Sequence, residues 1–185
     1  MDFSSQAPSS VTGGGNLVWV GVLRVTGMEP DNGRSYRMQR LDFEFDADRF
    51  KGVLGRNNRM LAVTKQHLLN IISHWSGFTQ SMLGGNASIE VDEKTKNVSG
   101  TVLGKSFNVT FGVLATDDFC RIEAIVSTPT ALSGTSAEVA RFYIASDGSV
   151  FSSDNEPLMQ EHEEFQSYTL LTAVLRKVLS TPQAL

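Results

Sequence analysis

The sequence predicts an α+β fold of two halves, each an antiparallel β-sheet with one helix, in the order strands, helix, strands, helix. Two observations lead to this prediction. Segments with strand-like alternation come in two groups, and one segment with helical spacing of apolar residues follows each group. Because a sheet face and a helix stripe must each be buried against another layer, we expect the halves 16–85 and 86–181 to pack into one domain over 16–185. The Ser- and Gly-rich residues 1–15 are expected to form a flexible arm.

The first half is predicted to begin with two long strands. Residues 16–26 are apolar on both alternating faces, as in a buried strand. Residues 35–48 alternate apolar with acidic side chains from Leu41 onward, which predicts one packed and one solvated face. A glycine-punctuated basic segment, 50–59, and a short strand, 60–63, are expected to follow.

Two helices are predicted, one closing each half. Apolar residues recur at intervals of three and four over 65–83, and Thr64 is a suitable N-cap for that helix. A similar pattern predicts a second helix over 156–180, with Pro157 in its first turn. Between the helices, alternation and turn residues predict six strands, at 87–92, 97–103, 106–114, 119–127, 139–146 and 149–151.

Composition limits the classes of function. The 185-residue chain is 41% hydrophobic, which predicts a globular domain with a sizeable core. It has no apolar run long enough to cross a bilayer, so we expect no membrane association. Cys120 is the only cysteine, and with no secretory signal pattern this predicts a cytoplasmic protein. The net charge of −4 argues against a uniformly basic nucleic-acid coat.

The charge is nevertheless unevenly distributed. Between Arg34 and Lys65 there are eight basic residues and four acidic ones, which gives this segment a net charge of +4. The surplus acids lie mostly in the C-terminal third. A local basic surface is therefore compatible with an acidic chain.

The stretch SGTVLGKSF, residues 99–107, has the Gly-Lys-Ser ending of a phosphate-binding loop. That loop needs an earlier glycine at a fixed spacing, where this chain has Ser99, and a helix directly after the serine. The residues after Ser106 are strand-like instead, so no helix N-terminus is available to bind phosphate. The stretch is predicted to be a hairpin turn.

No pattern in the chain predicts catalysis. There is no paired-histidine zinc motif, no nucleophile elbow and no cysteine cluster. His67 and His74 lie seven residues apart on the first predicted helix, and structural roles are more common for such histidines. We therefore expect no enzyme activity, catalytic residue, metal or cofactor.

Basic and aromatic residues interleave in the first half, which is typical of surfaces that bind single-stranded nucleic acid. Exposed aromatic rings stack on bases while arginine and lysine contact phosphates. In KGVLGRNNR (51–59), two glycines would let the backbone approach a phosphate between flanking cations. Tyr36 is predicted to supply the stacking. The predicted phosphate contacts are Arg34, Arg37, Arg40, Lys51, Arg56 and Arg59.

The strands-helix-strands-helix order resembles that of the Whirly and PUR families of single-stranded nucleic-acid-binding proteins. Locally, AVTKQHLLNIISHWSGF (62–78) is similar to a Whirly helix that opens with Ile-Thr-Arg, although that helix closes the Whirly domain. Lys51-Gly52 matches the start of the Whirly Lys-Gly-Lys-Ala-Ala-Leu segment, from which Val53-Leu54-Gly55 departs. The resemblance implies a non-catalytic homo-oligomer that binds single-stranded RNA or DNA, such as the Whirly-like RNA-binding proteins of large bacteriophages.

Two functions remain open from the sequence. The first is single-stranded nucleic-acid binding, with RNA preferred over DNA. The alternative is a protein-interaction or structural accessory module, for instance a viral accessory protein, a chaperone or an immunity factor, with no nucleic-acid binding. Convergence of the arginines on one sheet face would favour the first, whereas their pairing with Asp42, Glu44, Asp46 and Asp48 would favour the second.

Overall fold

The structure, a computed structural model, describes residues 40–44, 46–92, 94–130, 135–160 and 164–182. The chain divides into two compact units, Met1–Glu44 and Phe45–Leu185. In the first unit the described residues contain a 3-10 helix, Arg40–Phe43. The predicted strand 16–26 and the flexible arm lie outside the described residues. In the second unit helices and an antiparallel sheet combine into an α+β fold.

The sheet has seven strands, and each strand pairs with the next one along the chain. All of the pairings are antiparallel. The six strands predicted between the helices are confirmed, with ends that shift by at most a few residues. The strands are β1 Ala87–Val91, β2 Val98–Val102, β3 Lys105–Ala115, β4 Cys120–Pro129, β5 Ser136–Ile144, β6 Val150–Ser152 and β7 Pro157–Met159.

Alternation of side chains gives the sheet a buried inner face and a more polar outer face. On β4 every second residue from Cys120 to Thr128 is buried, and the residues between them are half-buried. On β2 the ring of Phe107 from β3 packs against Gly100. A Cβ atom at Gly100 would lie 2.4 Å from the Ser88 carbonyl oxygen and 2.8 Å from the Phe107 ring, so only glycine fits there.

The Gly-Lys-Ser stretch forms the predicted hairpin turn. Leu103 and Gly104 have φ values of 47° and 80°, as a two-residue turn between antiparallel strands requires. The Lys105 ammonium group donates hydrogen bonds to the carbonyl oxygens of Leu179 and Thr181, both at 2.9 Å. This lysine therefore caps the C-terminus of the last helix, where a cation is stabilised by the helix dipole.

Within the described residues three α-helices accompany the sheet: α1 Ala47–Ser73, α2 Trp75–Ser81 and α3 Gln166–Ser180. The prediction for 47–63 is wrong, because the end of the predicted strand 35–48, the segment 50–59 and the predicted strand 60–63 all belong to α1. Asp46, not Thr64, is the N-cap, and its Oδ1 accepts hydrogen bonds from the amides of Asp48 and Arg49 at 2.8 and 3.0 Å.

The last helix is shorter than predicted. Residues 156–180 were expected to be one helix, but Pro157–Met159 forms the edge strand β7 and α3 begins at Gln166. Phe165, at the N-cap position, has a φ of 60° and its side chain makes no capping bond. The chain thus enters α3 through a left-handed residue.

The core lies between the inner face of the sheet and the three helices. The junction of α1 and α2 is bound to the start of α3 by two hydrogen bonds. Trp75 donates from Nε1 to the Ser167 carbonyl at 3.1 Å, and the Ser167 hydroxyl donates to the Ile71 carbonyl at 2.6 Å. Phe78 and Tyr168 add an edge-to-face contact with ring centroids 5.6 Å apart. None of the described helices combines the length and apolarity needed to cross a bilayer.

Candidate nucleic-acid interface

The N-terminal half of α1 is almost entirely exposed to solvent. Between Ala47 and Arg59 only Asn57 is buried, although the helix continues without interruption. Arg49, Arg56 and Arg59 are spaced by seven and three residues, so they lie on one side of the helix. We call these three residues the arginine face. They span a rise of about 15 Å along the helix axis.

The arginine face is held next to the β3–β4 turn. Asn57 donates from Nδ2 to the Thr116 carbonyl at 2.9 Å, and Arg56 donates from Nη2 to the Asp117 carbonyl. The Arg49 guanidinium lies 3.4 Å from the Asp117 carboxylate, with 74% and 64% of the two side chains exposed. An ion pair this exposed contributes little to stability, so Arg49 is available to another anion.

The other five predicted site residues do not belong to the arginine face or are outside the described residues. Lys51 is exposed, but its position places it on a different side of α1. Arg40 belongs to the first unit, where its Nε lies 3.5 Å from the Glu44 carboxylate. The remaining predicted residues Arg34, Tyr36 and Arg37 lie outside the described residues.

The predicted glycine loop at 51–59 is wrong. Gly52 and Gly55 are helical and exposed, and no atom lies within 4 Å of the place where a Cβ of Gly52 would be. Their backbone amides beyond the first turn belong to the helix, so they cannot surround a phosphate. Phosphate contacts in this segment can come only from side chains.

The outer face of the sheet carries a polar network that sequence reasoning did not predict. Arg141 on β5 contacts Glu123 on β4 at 2.8 Å and binds Glu138 through Nε and Nη2 at 2.8 and 2.5 Å. Tyr143 donates its hydroxyl to the same Glu123 carboxylate at 3.2 Å. The hydrogen bonds that Arg141 donates to the Glu138 carboxylate raise the pKa of Arg141 above its usual range. This arginine is thus engaged within the sheet.

A second arginine on the outer face lies between two aromatic rings. The Arg121 guanidinium carbon is 4.7 Å from the centroid of Phe119 and 4.0 Å from that of Phe151. Its Nη1 also donates to the Asn155 side chain at 2.5 Å. Partial burial lowers the pKa of Arg121. The alternation of β4 could have placed Arg121 and Glu123 on one face, but their partners depend on strand register.

Grooves between the helices and the sheet are lined by described residues. The first, about 280 Å³, lies between α1, the β1–β2 turn and the middle of β3, and three lysines border it. The second, about 400 Å³, lies between α3 and the β1–β2 hairpin, where Arg176 is its one charged lining residue. The floor of both grooves is mostly apolar.

We also searched the structure for groups of side chains that could bind a metal ion. Within the described ranges no group of three His, Cys, Asp or Glu side chains could hold a metal ion. His67 is half-buried, and His74 is exposed at the junction of α1 and α2. Burial raises the pKa of the Cys120 thiol.

No known protein family, curated protein or solved structure matches this chain.

Proposed function

We propose that this chain is a non-catalytic protein that binds single-stranded nucleic acid, RNA in preference to DNA, through the arginine face. The observation that carries the proposal is the exposure of Arg49, Arg56 and Arg59 along one side of α1, in the half of the helix that is almost entirely exposed to solvent. Guanidinium groups spaced along about 15 Å of helix can contact successive phosphates of one strand.

The local electrostatics support phosphate binding. In the described part of the chain no carboxylate lies within ion-pairing distance of Arg59 or Lys51, and the one carboxylate near Arg49 is itself exposed. Asp46 and Asp48 lie at the N-terminus of α1, where the helix dipole favours acidic side chains, and the Asp46 carboxylate accepts the two capping bonds. The arginines therefore keep most of their charge available for a polyanion.

The proposal includes the finer predictions that depend on the Whirly and PUR resemblance. These are two sheet-plus-helix halves, base stacking by Tyr36, phosphate contacts by Arg34, Arg37 and Arg40, and assembly into a homo-oligomer. Light scattering of the purified protein measures the oligomeric state directly. A monomer at all concentrations would remove assembly from the proposal.

Fluorescence anisotropy with labelled single-stranded RNA, single-stranded DNA and duplex, at several salt concentrations, tests the proposal. The double variant Arg56→Glu with Arg59→Glu should lose most of the affinity for single strands. If each arginine neutralises one phosphate, the negative slope of log K against log salt should become shallower by roughly 0.7 for each arginine removed.

The matched control is Arg176→Glu with Lys177→Glu, an exposed basic pair on α3 that changes the net charge by the same amount. The control should retain most of the affinity. Equal losses in the two variants would show that only net charge matters. Absence of single-strand binding at low salt would contradict the proposal.

The protein-interaction alternative is favoured by a separate observation. Phe50 and Leu54 of α1 are 50% and 53% exposed and lie four residues apart, so they form an apolar patch on one side of the helix. If nucleic acid does not bind, Phe50→Ser with Leu54→Ser should abolish association with a protein partner. The same variant should leave nucleic-acid binding intact if the first proposal holds.

A further inference from the structure

The groove between α1 and the sheet combines an apolar floor with a cationic border. Its floor contains side chains from α1, β3 and β4: Leu68, Leu69, Phe111, Val113 and Ile122. Lys65 on α1 and Lys94 and Lys96 in the β1–β2 turn also line the groove. All of these residues belong to the second unit. The volume of about 280 Å³ lies at the small end of ligand sites.

Among the described residues no carboxylate oxygen lies within ion-pairing distance of the ammonium groups of the three lysines. Asp92, in the same turn, accepts hydrogen bonds on Oδ1 from the amides of Lys94 and Thr95 at 2.7 and 3.0 Å. These two hydrogen bonds, of which the one from Thr95 has the larger effect, lower the pKa of Asp92, so the turn already stabilises its negative charge. Asp92 therefore offsets only part of the positive charge at the border.

The turn that carries two of the lysines is locally determined. Asp92 pairs with Asn97 and Lys96 by backbone hydrogen bonds at 2.9 and 2.8 Å, and Lys96 has a φ of 59°. The lysines thus project from a hairpin whose geometry does not depend on a ligand. Such preorganisation lowers the entropy cost of binding.

We propose that this groove binds a small anionic amphiphile, an alkyl chain ending in a carboxylate or a phosphate. The alkyl chain lies on Leu68, Phe111 and Ile122, and the anionic group lies among the lysine ammonium groups. Opposite charge next to apolar surface is complementary to this class and to neither a neutral lipid nor a free anion. The inference goes beyond nucleic-acid binding and does not depend on it, since the arginine face lies on another side of α1.

A nucleotide fits the same groove less well. Its phosphate could reach the lysines, but a base needs hydrogen-bond partners for its polar edge. Thr95 supplies the one uncharged polar side chain of the lining, and the rest of the floor is apolar apart from the backbone at Gly112. Buried base edges without partners would cost affinity.

Isothermal titration calorimetry of the full chain with hexanoate, octanoate and decanoate, each below its micelle concentration, tests the proposal. Each methylene that the groove buries should tighten binding about fourfold until the groove is full. Decyl phosphate against decanoate distinguishes the two anionic groups, and tighter binding by either identifies the head group while supporting the site. Decanol and adenosine monophosphate are the neutral and the nucleotide comparisons.

Two variants locate the binding. Lys65→Gln with Lys94→Gln should weaken decanoate binding about tenfold, whereas Arg176→Gln with Lys177→Gln should not change it. Val113→Trp places a large ring in the groove at a lining residue that is 55% exposed, so the protein should stay folded by circular dichroism while decanoate binding is lost. Wild-type affinity in Val113→Trp, decanol binding as tightly as decanoate, or adenosine monophosphate binding more tightly than decyl phosphate would overturn the proposal.

Discussion

The two halves of α1 form one continuous helix, yet different forces hold them in place. Between Thr64 and Ser73 four side chains are at most 5% exposed: Thr64, Leu68, Ile71 and Ile72. From Ala47 to Arg59 Asn57 is the single buried residue, and its Oδ1 accepts no hydrogen bond within the described chain. Packing therefore fixes the C-terminal half, whereas capping, helix propensity and the β3–β4 turn fix the other.

The comparison predicts that equal truncations in the two halves differ most in stability. Ile72→Ala should lower the free energy of unfolding by about 2–5 kcal/mol, because it removes a fully buried side chain and leaves a cavity. Leu54→Ala should change it by less than about 0.5 kcal/mol. Urea denaturation with an unchanged m-value measures both. Similar midpoints for the two variants would show that the halves are equally packed.

Loss of the N-cap should weaken only the exposed half. Asp46→Ala removes the acceptor for the amides of Asp48 and Arg49 and should destabilise the helix by about 1 kcal/mol. Hydrogen exchange should accelerate at residues 48–58 and stay unchanged at 64–73. The control Asp46→Asn keeps a capping oxygen and should remain close to wild type. Faster exchange throughout α1 in Asp46→Ala would mean that the halves unfold together.

Adding helix propensity to the exposed half should stabilise it. Gly52→Ala meets no neighbouring atom within 4 Å and should raise stability by up to about 1 kcal/mol. Gly104→Ala is the contrasting variant, because its φ of 80° strains any other residue and should destabilise the protein. Thermal unfolding measures both shifts. A loss of stability in Gly52→Ala would indicate that this helix surface contacts something.

The smallest effect on stability is expected at the exposed ion pair. Asp117→Asn removes the carboxylate near Arg49 and should change the free energy of unfolding by less than about 0.5 kcal/mol. Under the proposed function the same variant should bind single-stranded RNA more tightly at low salt, since Arg49 loses a competing anion. Weaker RNA binding in this variant would argue against the arginine face.

The sheet could be predicted from the sequence because its signals are local. Alternation of apolar and polar residues predicts the strands at 106–114 and 119–127. A turn such as Asp147-Gly148, in which the glycine has a φ of 84°, predicts that the strands on either side of it pair as a hairpin. Each strand pairs with the next, so no long-range choice of partner had to be made. The strands at 87–92 and 97–103 were predictable for the same reason.

The first helix was mispredicted where local signals conflict with packing. Leu41 to Asp48 alternate as a strand would, and Gly52 and Gly55 suggest turns, although both are tolerated in a long helix at about 1 kcal/mol each. Asp46 is an acceptable N-cap, but its role shows only when the hydrogen bonds are known. The candidate site shifted accordingly: Arg56 and Arg59 are helical, and Arg49 joins them from outside the predicted set.

The sequential order of the seven strands has a consequence for how the chain folds. Contacts between neighbouring hairpins span short sequence distances, so the contact order is low and the sheet can grow one hairpin at a time during synthesis. Helices α1 and α2 are synthesised before the sheet, but the part of the inner face that α3 covers would stay open until Leu171, Val174 and Val178 of α3 are synthesised. Translation that pauses before α3 would therefore present the nascent chain to chaperones at its most aggregation-prone stage.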